Sequence, residues 1–194
     1  MGTRNDDLRE GERRYVTVLF CDMTDSTTLS ETLDPEEMDR LMDTIFSRFD
    51  AVVREHEGTV EKYIGDALVA VFGVPTIHED DPQRAINAAL QLHEEVAALN
   101  EELAASRAGA GSPVGTYAGS GHGPGAGISF RIGIHTGLIT TGRRGEYDVV
   151  TGHAMHIAAR LQGQAPDGGI LVSEETRRRA EQDFLYGEPK DLRL

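Results

Sequence analysis

With 194 residues, of which 39% are hydrophobic and 27% charged, the chain has the size and composition of one globular domain with a sizeable core. A net charge of −14 at pH 7 repels polyanions at long range, and no basic stripe with interleaved aromatics offsets it, which argues against nucleic acid as the partner. No apolar run approaches the roughly 20 residues of a membrane span, and the single cysteine, Cys21, excludes an intrachain disulfide and a cysteine zinc cage.

Residues 1–14 are polar and charged, without the apolar stretch of a signal peptide, and are expected to be a flexible lead-in or linker end. The cytoplasm is the expected compartment. Tyr15 to Cys21 is apolar and β-rich and predicts a strand that delivers Asp22 at its end. A hydroxyl-rich loop, DMTDSTTLSETLD, follows with helix-start chemistry. Asp34-Pro35 then predicts an N-cap and first helical residue, with Glu36 and Glu37 suited to the first turn. Met38, Leu41, Met42, Ile45, Phe49, Val52 and Val53 recur at helical spacing up to about Glu55.

Thr59 to Gly73 predicts two short strands, Val60–Ile64 and Ala67–Phe72, joined by a Gly65-Asp66 turn. Lys62 and Ile64 share one face of the first arm because strand side chains alternate. A long helix opens at Asp81-Pro82, with Ala85, Ile86, Ala89, Leu92, Val96, Leu99 and Leu103 on its apolar face. Residues 107–127, rich in Gly, Ser, Ala and Pro, are expected to be a flexible insertion. A strand pair around His135-Thr136-Gly137, a polar arm at 142–148 and a short strand YDVV come next. A helix from Gly152 to about Gln162, a strand in GGILVS and a short helix in EETRRRAEQ complete the pattern.

The order β-α-β-β-α-β is that of a ferredoxin-like split βαβ core, an α+β fold with an antiparallel sheet backed by helices. In that topology the first strand lies beside the central hairpin, so Asp22 and Asp66 reach the same sheet edge. Two strand-end carboxylates so placed can hold a pair of divalent metals. The histidines have no convincing zinc spacing.

FCDMTDST, EKYIGDALVAVFG, HEDDPQRA, RIGIHTG, GHAMHIAARL and GGILVSEET together resemble the catalytic domain of the class III nucleotidyl cyclases, the adenylate and guanylate cyclase family. The resemblance runs from about Tyr15 to Glu175 and implies a cyclase catalytic domain over 15–194. It implies metal ligation by Asp22, Asp66 and the Met23 carbonyl, with two Mg²⁺ or Mn²⁺ ions per site, all-oxygen chemistry that suits both. It also implies a phosphate-facing loop that includes Met23, Thr24, Asp25, Ser26 and Thr27, where Asp25 stands in a place the family commonly gives to glycine.

Lys62 falls on the base-reading lysine of adenylate cyclases, since an ammonium can donate to adenine N1 but not to guanine N1–H. The second base-reading position falls on Val149 counted back from Gly152, or on Asp148 if the turn carries one more residue. Arg160 matches the transition-state arginine, and His156, four residues earlier on the same helix face, replaces the family's asparagine. Lys190 is a poor match to the late phosphate-binding lysine. The resemblance further implies ATP as substrate, 3′,5′-cyclic AMP and pyrophosphate as products, and a homodimer whose active sites are shared across the interface. Neither nucleic acid nor membrane insertion is expected, and a regulatory domain is expected elsewhere in a longer chain. His156, Asp25 and Val149 keep open the alternative of a weak or inactive cyclase-like module for nucleotide binding or dimerisation. Another two-metal phosphoryl-transfer enzyme on the same core is a third reading.

Overall fold

The computed structural model describes residues 12–110, 127–144 and 147–192. Its elements run β1 (Arg13–Met23), α1 (Ser26–Thr32), α2 (Pro35–Glu55), β2 (Thr59–Ile64), β3 (Ala67–Phe72), α3 (Asp81–Ala110), β4 (Phe130–Arg144), β5 (Tyr147–Thr151), α4 (His153–Gln164), β6 (Ile170–Val172) and α5 (Glu174–Arg179). The sheet has the order β2-β3-β1-β4-β5, with β6 alongside β4. All pairings are antiparallel except β4 with β6. This is the α+β, helix-backed sheet that the sequence predicts.

Alternation along the strands divides the core between the two sheet faces. Leu19, Cys21, Leu68, Ala70, Phe72, Phe130, Ile132 and Ile134 meet the apolar stripes of α2 and α3. Val16, Val18, Val69, Val71 and Ile139 meet Ala154, Met155 and Ala158 of α4 and Val150 of β5. The strand ALVAVF is therefore covered on both faces, which is why it is apolar without alternation. On the first face Phe49 and Phe130 pack edge to face with centroids 5.0 Å apart, each fully buried and each contributing about 1.5–3 kcal/mol through burial.

Four boundaries differ from the sequence-based expectation. β1 begins at Arg13, inside the expected lead-in, because β4 pairs with it back to that residue through Thr140. The hydroxyl-rich loop contains a helix, α1. α3 continues through Ala110, past the expected start of the insertion at Arg107; 111–126 lie outside the described residues, as do 1–11.

The expected strand pair around His135 is a single strand of 15 residues, β4. Gly133 and Gly137 in it serve helix packing and not a turn. A Cβ on Gly133 would overlap the Ala158 carbonyl oxygen and the Gln162 backbone nitrogen, and one on Gly137 would meet the Ala154 Cβ at 3.2 Å. α4 therefore lies directly on the β4 backbone.

Candidate active site

The two acids come together as the topology requires. β1 and β3 are antiparallel with Asp22 opposite Ala67, so Asp66, one residue earlier in the hairpin turn, lies at the end of β1. Gly65 holds a φ of 63° there, a left-handed value that glycine adopts without a Cβ clash. Burial pushes the Asp22 pKa up and the neighbouring charge of Asp66 raises it further, against smaller lowering by a Gln162 hydrogen bond and the Arg131 charge. A carboxylate held up by burial and by a neighbouring acid, as Asp22 is, marks a place where a cation is favoured. Among the described residues, no group of three or more His, Cys, Asp or Glu side chains forms a metal cage. Two carboxylates beside the β1 terminus at Met23 instead fit Mg²⁺ or Mn²⁺, hard ions that retain waters and substrate phosphates.

The segment after β1 is partly committed to the fold. The Thr24 N–H donates to the Ser129 carbonyl at 2.9 Å, so it is not offered to a phosphate. Asp25 caps α1 with φ 58° and ψ 31°, and its side chain makes no capping hydrogen bond. This left-handed backbone is the physical reason for a glycine at the position, and aspartate is among the few other residues that tolerate it. Ser26 and Thr27 open α1, whose first-turn N–H groups have no partner within the helix.

Lys62, His156 and Arg160 have a different setting. Lys62 is exposed on β2, and His156 and Arg160 are exposed one turn apart on α4, whose opposite side buries Ala154, Met155, Ala158 and Leu161. Among the described residues no hydrogen bond or ion pair joins Asp22 or Asp66 to Lys62, His156 or Arg160. Asp148 and Val149 sit in β5 opposite Arg143 and Gly142; their side chains lie outside the described residues.

Residues 9–193 match the family model of the adenylate and guanylate cyclase catalytic domain. The chain belongs to this family. Adenylate cyclase 1 of Rhizobium meliloti (strain 1021) is 30% identical over 168 residues, 84% of this chain and 23% of that relative, so the cyclase domain spans under a quarter of its length. Among solved structures, the adenylyl cyclase CyaB from P. aeruginosa superposes with a TM-score of 0.78 at 24% identity, covering 91% of this chain and 85% of that one. The guanylate cyclase domain from Catenaria anguillulae in complex with GTP gives 0.72 at 24% identity, covering 90% and 86%. Both share the cyclase fold with this chain.

Two residues of the cyclase domain emerge only from the folded chain. Glu61 occupies a bulge in β2, between Val60 and Lys62, and its carboxylate accepts the Val150 N–H at 3.1 Å. That bond ties the strand carrying Lys62 to the strand carrying Asp148 and Val149. The Gln162 side-chain amide donates to Asp22 Oδ2 at 3.2 Å. Neither residue carries a local sequence signal, since each acts on a partner more than 80 residues away. Lys190 lines a hollow of about 610 Å³ between α4, β6 and the C-terminal segment, with Leu161, Ile170 and Tyr186 in the same wall and neither acid present. Among the described residues no helix is long and apolar enough to cross a membrane.

Proposed function

We propose that this domain cyclises ATP to 3′,5′-cyclic AMP and pyrophosphate, as a homodimer in which each site takes its acids from one chain and its cations from the other. The observation that carries this reading is the meeting of Asp22 and Asp66 at one sheet edge while Lys62, His156 and Arg160 face outward from the same fold. Asp22, Asp66 and the Met23 carbonyl hold the metals. A bound pair of Mg²⁺ or Mn²⁺ ions supplies a lowered pKa at the ribose 3′-hydroxyl and neutralises triphosphate charge.

Thr24 to Thr27 border the phosphates, with the first-turn N–H groups of α1 as donors. Lys62 donates to adenine N1. Asp148 would read the second base position by accepting from the 6-amino group, or Val149 would border it without a side-chain hydrogen bond. The Arg160 guanidinium stabilises charge on the α-phosphate as the 3′-oxygen bonds to phosphorus and pyrophosphate leaves. His156 donates to the ribose. The domain works in the cytoplasm as the output of a longer regulated protein; the far greater length of the curated relative supports the longer chain alone.

The test is incubation of purified protein with ATP and with GTP, in Mn²⁺ and in Mg²⁺, with products separated chromatographically. Cyclic AMP formed only with metal is the expected result. Cyclic GMP in its place would overturn the assignment of Lys62 to adenine. Metal-dependent ATP binding without turnover would favour a nucleotide-binding module, a second reading motivated by His156 in the asparagine position.

A further inference from the structure

α4 faces two ways. One side presents His156 and Arg160 to solvent, while its last turn reaches the acid end of the same chain through Gln162. We propose that Gln162 is a positioning residue for Asp22, fixing the carboxylate for its cation, and that α4 thereby serves both half-sites of the dimer. The inference rests on the metal-binding reading of Asp22 and Asp66.

Three features of the structure support it. First, the amide donates to Asp22 Oδ2 at 3.2 Å, and no other hydrogen bond to that carboxylate occurs among the described residues. An amide orients a carboxylate without neutralising it, and most of the lone-pair sites on its two oxygens remain for a cation. Second, the cationic alternative is held elsewhere. Arg131 is the register partner of Asp22, yet its guanidinium binds Asp167 in the loop after α4, with Nε to Oδ1 at 2.9 Å. Third, the reach is built into the packing. Gly133 lets the α4 backbone at Ala158 and Gln162 settle against β4, where any side chain would push it away, and buried Ala158 and Leu161 anchor the same turn.

The experiment is a titration with Mn²⁺ alone, free ion being counted by electron paramagnetic resonance, alongside thermal unfolding. Gln162→Met keeps length and helix propensity and removes the donor. Gln162→Asn retracts the amide by one methylene and keeps the polarity, which covers a folding failure of the methionine variant. Each is expected to weaken Mn²⁺ binding by about tenfold, the lower end for loss of an outer-shell partner, with the unfolding temperature unchanged. Gln164→Met, an exposed position in the same turn, should bind Mn²⁺ as the wild type does. Wild-type affinity in a folded Gln162 variant would overturn the proposal alone. A wild-type protein that binds no Mn²⁺ would overturn the two-acid reading, and the proposal with it.

Discussion

The acid end and the cation side of this domain are built in opposite ways. Asp22 is half-buried, hydrogen-bonded by Gln162 and raised in pKa by burial and by Asp66. Lys62, His156 and Arg160 are exposed, and among the described residues none of the three has a side-chain hydrogen bond or ion pair. An acid pair prepared for a cation needs enclosure and orientation before the ligand arrives. Side chains left unpaired in one chain are free to meet a ligand held by the partner in the proposed dimer. The difference is what the proposed site, divided between two subunits, would require.

The largest effect should come from separating the two halves by mutation. Asp66→Ala and Lys62→Ala homodimers are each expected to lose nearly all cyclase activity, one at the metal and one at the base. Mixed in equal amounts after subunit exchange, half of the dimers pair one variant with the other. Each such dimer has one intact site, so about a quarter of wild-type activity should return. A mixture no more active than its components would place acid and cation within one chain and end the comparison.

A smaller effect is expected on the cation side. His156 and Arg160 share an exposed face of α4 one turn apart, so an asparagine at 156 keeps both the position and a donor. His156→Asn should hold or raise kcat by up to roughly tenfold, the scale of 1.4 kcal/mol in the barrier, while Mn²⁺ binding at the acid end stays unchanged. A large loss would show that the imidazole does work that an amide cannot.

The parts of this architecture legible in the sequence are those carried by local chemistry. The Gly65-Asp66 turn, the Asp34-Pro35 helix start and the apolar stripe of α2 each follow from a few adjacent residues, and all three occur. So does the meeting of Asp22 and Asp66, because strand order and hairpin position determine it. Thr136-Gly137 in RIGIHTG misleads for a physical reason. Turn residues signal a break, but glycine is also what a strand needs where a helix lies on its backbone, and pairing with β1 runs unbroken through the site. Glu61 and Gln162 were illegible because a bulge and a helix-to-sheet reach are products of tertiary packing. Asp25 lies between these cases. Its departure from glycine is visible in the chain, but the left-handed φ that explains the preference belongs to the fold.

The smallest expected effect concerns stability, away from both halves of the site. His93 on α3 has its pKa lowered by burial, and its Nε2 is buried without a hydrogen-bond partner. Its folded state therefore stays neutral at pH values where the unfolded chain already binds a proton. Stability from this group is unchanged above the ordinary imidazole value of about 6.5 and falls as pH drops from there toward the lowered value. His135, also lowered chiefly by burial, acts in the same sense. Asp22 and Asp81, raised first by burial, act in the opposite sense through the carboxylate range, so the histidine contribution is best isolated between about pH 5.5 and 7.5. His93→Leu removes the buried unpaired nitrogen and should make thermal unfolding less pH-dependent across that window without altering Mn²⁺ affinity. An unchanged pH slope would mean that the imidazole takes up its proton in the folded state, with water reaching Nε2.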